Sequence, residues 1–499
     1  MINKTFTNPF LWTDIPDLDV IRVNDTYYMT STTMYFNPGC PIMKSKDLVN
    51  WEIVNYVYDT LSDCDHMTLK NGKHDYGKGT WASTIRYHNG TFYVAFVAYN
   101  TNTTYIFQTE DIESGPWRRY EIKGIYHDMS ILFDQDKVYM VYGVGEIKVI
   151  ELTSDARAIK PGGMNKTIIK HADPSETNSL AEGAHIYKIN DKYYIFIIAW
   201  PRVGKKRRIQ VCFRADSIDG NYEHKIVLDD DIGFNNAGVA QGGIVDTPDG
   251  EWYAHLFQDH GAVGRIPVIL PVHWQDGWPI FGDNGKVPEV MPYPLPPQKT
   301  QPLLTSDEFD TLTLPLQWQW NHNPDNFNWS LSSNCLRLTT GRIVDHLFAA
   351  PNTLTQRTFG PCCEGSVMID ISNMKNGDYA GLAALQDYYG FVGVKQVNGE
   401  KFIVMETHIN KEKAIPIKQD CIYLKIAFDF VDAKDEAYFY YSLCGKEWTR
   451  IGSTLKMEYL LTHFTGYRFA LFNYATENIG GFVTFNWFRV SIHAEFVPI

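Results

Sequence analysis

Five times between Val20 and Phe257 the chain repeats one pattern: an apolar strand, a short polar turn, and a second strand carrying Tyr or Trp. The copies read VIRVNDTYYMTST from Val20, TIRYHNGTFYVAFV from Thr84, ILFDQDKVYMVYG from Ile131, HIYKINDKYYIFII from His185 and IVDTPDGEWYAHLF from Ile244. Each turn holds Asn, Asp or Gly, the residues that tolerate positive φ, so each copy reads as a β-hairpin. Successive copies begin roughly 45–65 residues apart, which leaves room for four strands per unit. Four-stranded units repeated about an axis are propeller blades. The chain is therefore expected to be all-β and to open with a five-bladed β-propeller.

The repeat also sets a register. Ile21, Ile85, Leu132, Ile186 and Val245 occupy equivalent apolar positions, and four residues before them stand Asp17, Trp81, Asp128, Glu182 and Gln241. If this strand is the innermost of each blade, all five side chains reach the axis at similar depth. Three of them are carboxylates. Like charges gathered in one place repel, and burial adds to the cost, so a fold keeps them only for a purpose.

Two opposed carboxyl groups are the working parts of glycoside hydrolysis, one protonating the leaving oxygen and the other activating water or attacking. Glu has the longer reach and the higher reference pKa, which makes Glu182 the natural acid. Asp17 is then the base, and Asp128 the charge that tunes and orients Glu182. Trp81 offers a flat face for stacking on a sugar.

The chain has 499 residues, more than a single core usually supports. The stretch Pro292-Tyr293-Pro294-Leu295-Pro296-Pro297 favours extended geometry and marks a boundary. The expected division is a propeller over 1–290, a Pro-rich linker over 291–303, and a second domain over 304–499. In that second domain short alternating segments such as Leu336–Thr340, Phe402–Glu406 and Tyr423–Phe428 argue for a concanavalin-like β-sandwich. Its aromatic segment from Gly377 to Gly390 is a candidate cover for the propeller mouth, with a purely internal role as the equal alternative.

A net charge of −13 argues against a nucleic-acid partner. No run approaches the roughly 18 apolar residues of a membrane span, which argues against a membrane partner. The start MINKTFTNPFLWTD shows no apolar export signal. That points to a cytoplasmic protein as the sequence stands, and to a periplasmic or secreted one if a signal was removed. The eight cysteines form no CxxC pair and read as mostly reduced and buried, with no zinc site. The basic run Lys205-Lys206-Arg207-Arg208 reads as a solvated hairpin tip.

Several segments together resemble glycoside hydrolase family 43: Asn8-Pro9, Pro16-Asp17-Leu18-Asp19-Val20-Ile21-Arg22, Thr80-Trp81-Ala82-Ser83, His127-Asp128-Met129-Ser130 and Ala181-Glu182-Gly183-Ala184-His185-Ile186-Tyr187. The region after residue 304 resembles the sandwich of that family's xylosidase and arabinofuranosidase branch. The resemblance implies an inverting mechanism with Asp17 as base, Asp128 as pKa modulator and Glu182 as acid. Arg265 resembles the family's arginine that reaches the innermost sugar, and Tyr35 and Phe36 are candidates for the pocket wall. Two positions depart from the family pattern. Leu18 replaces the usual Pro after the base, and Gln241 replaces a His that in many relatives helps hold calcium or a water cluster. No metal ligand is assigned and no cofactor is expected to be required, although a structural calcium stays open.

The substrates implied are arabinose- or xylose-containing oligosaccharides of hemicellulose. Cys40-Pro41-Ile42 and Gln317–His322 look most like the arabinofuranosidase-rich branch, with β-D-xylosidase or a bifunctional enzyme as the alternative. A non-catalytic carbohydrate-binding propeller is the reading from another class. The oligomeric state has no signal in the sequence.

Overall fold

The computed structural model describes residues 4–175, 180–332 and 334–494; the first three residues of the N-terminal stretch and the last five of the second domain lie outside them. Five four-stranded antiparallel sheets follow one another in sequence order, each built outward from its first strand except for the long excursion between the second and third strands of blade 1. The five innermost strands are Asp19–Val23, Thr80–His88, Ser130–Asp134, Ala181–Ile189 and Ala240–Asp246. These are the first strands of the five repeated hairpins, and the architecture is the expected five-bladed β-propeller.

Packing explains the aromatic second strands. Each blade lies face to face with its neighbours, so its inner strands are covered on both sides. Thr26–Thr30 is buried at every position, and Thr91–Ala98 and Lys192–Ala199 at every position but the first. Phe96 and Phe196 are fully buried between blades, each contributing roughly 1.5–3 kcal/mol. The outermost strands meet water instead: Glu223–Leu228 exposes its first four residues, and Arg118–Lys123 is mostly exposed. A buried parallel-like run of Tyr, Phe, Val and Ile and a charged edge strand are two consequences of the same stacking.

The propeller sheets end at Phe281. Thr5–Thr7 then pairs with Val290–Pro292, and the Pro-rich stretch runs back along blade 1. There the Gln298 and Gln301 amides donate to Asp47 and Glu52 (2.7 and 3.0 Å). Beyond it two eight-stranded antiparallel layers form the sandwich, whose core includes Phe428, Phe469 and Phe488, all fully buried. One edge of this sandwich is supplied by the propeller. Phe36–Asn37, from the excursion in blade 1, pairs with Gln319–Asn321.

All eight cysteines are unpaired thiols. Cys40, Cys212 and Cys363 are buried, whereas the other five are partly or fully exposed, so the expectation of general burial is corrected. No helix of the described residues is long and apolar enough to cross a membrane.

Candidate active site

The five register positions meet. Asp17, Trp81, Asp128, Glu182 and Gln241 all line one small cavity on the propeller axis, joined there by Met34, Trp200, Arg208, Phe257, Arg265 and Phe464. Local backbone aims them. The inner strands of blades 2, 4 and 5 carry bulges at Thr80/Ser83, Glu182/His185 and Ala240/Gly242, which turn side chains out of the regular pleat. Asp17, Asp128 and Gln241 have φ of 53°, 48° and 61°. Left-handed backbone at non-glycine residues is uncommon and gathers at functional sites.

Asp17 is buried and held at both oxygens. Arg265 Nη1 donates to Oδ1 at 2.8 Å and Thr32 Oγ1 to Oδ2 at 2.7 Å. Arg265 is placed in turn by Asp14, whose carboxylate accepts from the Arg265 amide at 2.8 Å and from the Gly466 amide at 2.9 Å. Gly264, at φ 101°, lies so close to Asp14 that a Cβ there would sit 2.2 Å from its Oδ1. A single buried carboxylate thus ties blade 5, the entry loop and a sandwich loop together beneath the base.

Across the cavity stands a second cluster. His127 Nε2 is 3.1 Å from Glu182 Oε2 and 3.5 Å from Asp128 Oδ1, and Tyr99 Oη meets the other ring nitrogen at 2.7 Å. His127, Asp128 and Glu182 each offer an atom within 4.8 Å of the others, and Asp17 falls outside that group. Burial pushes the Asp128 pKa up to about 7; Glu182 and Asp17 add to the rise while His127 opposes it. Burial works against charge on His127, but the carboxylates of Asp128 and Glu182 outweigh it and lift its pKa to about 9. The cluster therefore stores protons at neutral pH that free groups would release.

Below the cavity the axis is plugged. Asp19, fully buried, accepts from Thr84 Oγ1, the Ile85 amide, Arg86 Nη1 (2.7 Å) and His185 Nδ1 (3.2 Å). Despite burial, Arg86 and His185 hold its carboxyl far below the usual range.

The walls are aromatic and cationic. Trp81 packs against Tyr99 (4.9 Å between centroids) and Phe464 (5.0 Å), and its buried Nε1 has no protein partner. Arg208 lies over Trp200 and Phe257, pairs with Asp259 at 2.5 Å, and keeps its buried Nη1 without a partner. Asp259 Oδ1 also stands 3.3 Å from Arg265 Nε, as an ion pair rather than an aligned hydrogen bond. Unspent donors on a pocket wall are what sugar hydroxyls require.

Two expectations are corrected here, and for the segment from Gly377 the internal alternative holds over most of its length. Tyr35 and Phe36 do not line the cavity. They are buried at the domain junction, Tyr35 stacked on His322 and Phe36 beneath Arg468, because Phe36–Asn37 is drawn into the sandwich sheet. The basic run is not simply a solvated tip: Arg207 is buried against Asp229 and Asp231, and Arg208 faces the cavity. Asp378–Leu385 is an interior sandwich strand, and the sandwich reaches the cavity through Phe464 instead.

This arrangement has relatives. The profile of glycosyl hydrolases family 43 matches residues 6–279, and that of the beta xylosidase C-terminal concanavalin A-like domain matches residues 306–491. The chain belongs to glycosyl hydrolases family 43. It is similar to a beta-xylosidase of Formosa agariphila, with 31% identity over 97% of this chain and 90% of the relative. It is similar also to a non-reducing end alpha-L-arabinofuranosidase of Bacteroides ovatus, with 28% identity over 83% of this chain and 80% of the relative. Among solved structures, a bifunctional GH43-CE protein of Bacteroides eggerthii shares 48% identity at a TM-score of 0.94 over 99% of this chain. The chain spans 64% of that protein's length.

Family membership makes the chain a glycoside hydrolase, and the non-catalytic reading falls away. Within the family the two departures have local consequences. Leu18 is fully buried in the core beneath the base. Gln241 is packed so tightly that a Cβ on Gly183 would lie 2.9 Å from its Cγ. Calcium takes six to eight oxygen ligands. The Asp19 carboxylate already accepts four hydrogen bonds from the protein, so it does not offer a calcium ion free oxygens.

Proposed function

We propose that this enzyme is an exo-acting, inverting hydrolase that releases non-reducing-end α-L-arabinofuranosyl residues from hemicellulosic poly- and oligosaccharides. One observation carries the reading: Asp17 on one side of a small axial cavity faces the His127–Asp128–Glu182 cluster on the other. Asp17, fixed by Arg265 and Thr32, takes a proton from water as it attacks the anomeric carbon. Glu182 gives a proton to the departing oxygen, and the cluster behind it, with His127 at 3.1 Å, holds and replenishes that proton. The two sides act on opposite faces of the sugar, so the configuration inverts. Trp81, Phe464 and Arg208 enclose the ring. A cavity this small, closed below by the Asp19 network, admits one terminal sugar, which supports exo action. Acid, base and positioning are all supplied by side chains, so no cofactor is needed.

β-D-Xylosidase is the second reading. It is favoured by the match of residues 306–491 to a beta xylosidase C-terminal domain and by the similarity to the Formosa agariphila beta-xylosidase. A panel of aryl α-L-arabinofuranosides and β-D-xylosides separates the two, with the higher kcat/KM expected on the arabinofuranoside. NMR of the first-formed sugar tests the stereochemistry. A retained anomer contradicts the assignment of Asp17 as base.

A further inference from the structure

A larger cavity adjoins the catalytic one. It measures about 790 Å³ and lies where the loop after blade 1 meets the sandwich, lined by His74 and Tyr76 on one side and Arg342, Ile343, Phe348 and His463 on the other. Its size is within the roughly 300–1,000 Å³ of small-molecule sites. One short segment separates the two cavities: Thr462 and His463 face this one, and Phe464 faces the catalytic one.

Its chemistry is specific. Tyr76, Phe348 and His463 form a continuous aromatic wall, with ring centroids 4.4–5.2 Å apart. His463 is 3% exposed, and its Nε2 has no protein partner. Burial lowers the His463 pKa to about 4, so the ring is uncharged near neutral pH. The cations at the rim are spent on the protein. Arg342 donates to the Leu69 and Thr68 carbonyls (2.9 and 2.7 Å), and Lys73 pairs with Asp65 at 3.2 Å. An anion therefore finds little free charge. Among the described residues His74, His346 and His463 are not gathered closely enough to form a metal cluster. The carboxylates of Asp345 and Asp387 also line the cavity and can accept from hydroxyl groups; with the aromatic wall and an apolar rim that includes the half-exposed Ile343, these are features that hold sugar rings.

We propose that this cavity is a second carbohydrate-binding site, which holds a neutral pentosyl stretch of the same chain whose terminal sugar occupies the axial cavity. The proposal rests on the pentosidase reading for the identity of the sugar, and on the shared wall at 462–464 for the coupling. A substrate spanning both sites gains effective concentration at the second once the first is occupied. An aryl glycoside of one sugar reaches only the axial cavity.

His346 and Ala349 also line the cavity, and the test compares the wild-type enzyme with a His74→Ala/His346→Ala variant and with Ala349→Trp, which fills it. Both histidines are exposed, so folding is not at risk in the first variant. With arabinoxylan-derived oligosaccharides of about five sugars, KM is expected to rise about 5- to 20-fold with kcat little changed, the scale of one or two lost contacts. With aryl pentosides KM is expected to stay within about twofold. Equal changes on both substrates, or none on either, overturn the proposal. Calorimetry of the same oligosaccharides with Asp17→Asn enzyme reads the site without turnover. There, affinity unchanged by the cavity substitutions overturns it, and a matching loss supports it. Wild-type enzyme that fails to cleave any aryl pentoside refutes the substrate reading alone.

Discussion

Arg265 Nη1 lies 2.8 Å from Asp17 Oδ1, and the same side chain carries its Nε to within 3.3 Å of Asp259. A planar guanidinium spans two carboxylates in fixed geometry, which a lysine ammonium cannot do. Arg265→Lys is therefore expected to lower kcat/KM on aryl pentosides by roughly 10²-fold, the scale of one charged hydrogen bond of about 1.5–3 kcal/mol. Thr32→Val removes a neutral donor from the other oxygen and is expected to cost only several-fold. Equal losses in the two variants contradict the assignment of Arg265 as the principal positioner of the base.

Glu182 faces His127 from the side of the cavity opposite Asp17. If it protonates the leaving oxygen, its removal matters in proportion to how badly that oxygen needs a proton. Glu182→Ala should lower kcat by roughly 10²–10⁴ on oligosaccharides and far less on glycosides of acidic phenols. A uniform loss across leaving groups removes Glu182 from the role.

His127 supplies the positive charge that opposes the rise of the Asp128 pKa. Taking it away leaves Asp128 facing Glu182 and Asp17 without that compensation, so its pKa climbs further above about 7. The alkaline limb of the kcat–pH profile of His127→Asn is expected to move to higher pH, with kcat itself reduced. The profile is read on an oligosaccharide, whose leaving oxygen needs the proton. A limb that stays in place means His127 does not share the proton store.

The ring of five was legible because in every blade the ring residue stands four positions before an equivalent apolar residue of the inner strand, so a local repeat encodes a global axis. The cavity walls were not. Arg208 sits in a four-residue basic run that resembles any solvated tip, and its neighbour Arg207 owes its burial to Asp229 and Asp231, more than twenty residues away. Arg208's own partner, Asp259, comes from the next blade. Phe464 arrives from the sandwich, where nothing in its local sequence marks a pocket residue. His127 had a signal, its place beside Asp128 in the motif, but only the bulged blade-4 strand brings Glu182 to its ring. Tyr35 and Phe36 misled for the converse reason. Their aromatic character served a strand pairing with Gln319–Asn321 that no spacing along the chain announces.

Asp128 links function to stability. Its pKa is raised from 3.8 to about 7 by burial, so the folded state holds a proton that the unfolded chain releases near pH 4. The favourable contribution is complete below about pH 4 and is lost as pH rises through about 7, at about 1.4 kcal/mol per pH unit within that window. Above pH 7 the fold carries a buried charge only partly offset by His127 at 3.5 Å. Asp128→Asn keeps the shape and removes the charge. Its melting temperature is expected to match wild type at pH 4 and exceed it by a few °C at pH 8, while activity falls. A variant less stable at pH 8 than wild type contradicts burial as the dominant cause of the shift.

Arg208 gives the sharpest test of the wall. Its stem packs on Trp200 and Phe257, Nη2 reaches Asp259, and Nη1 remains without a protein partner at the cavity. Arg208→Met retains much of the apolar contact and deletes every donor. Asp259 keeps Arg265 within 3.3 Å, so the substitution does not strand an isolated charge. If Nη1 binds a sugar hydroxyl, kcat/KM falls roughly 10- to 100-fold, through KM more than kcat, since neither the base nor the proton cluster is touched. Arg208→Lys restores one donor without the fork and should recover only part of the loss. If Arg208 instead serves only to brace blade 4 against blade 5, Arg208→Met lowers the melting temperature and leaves KM where it was.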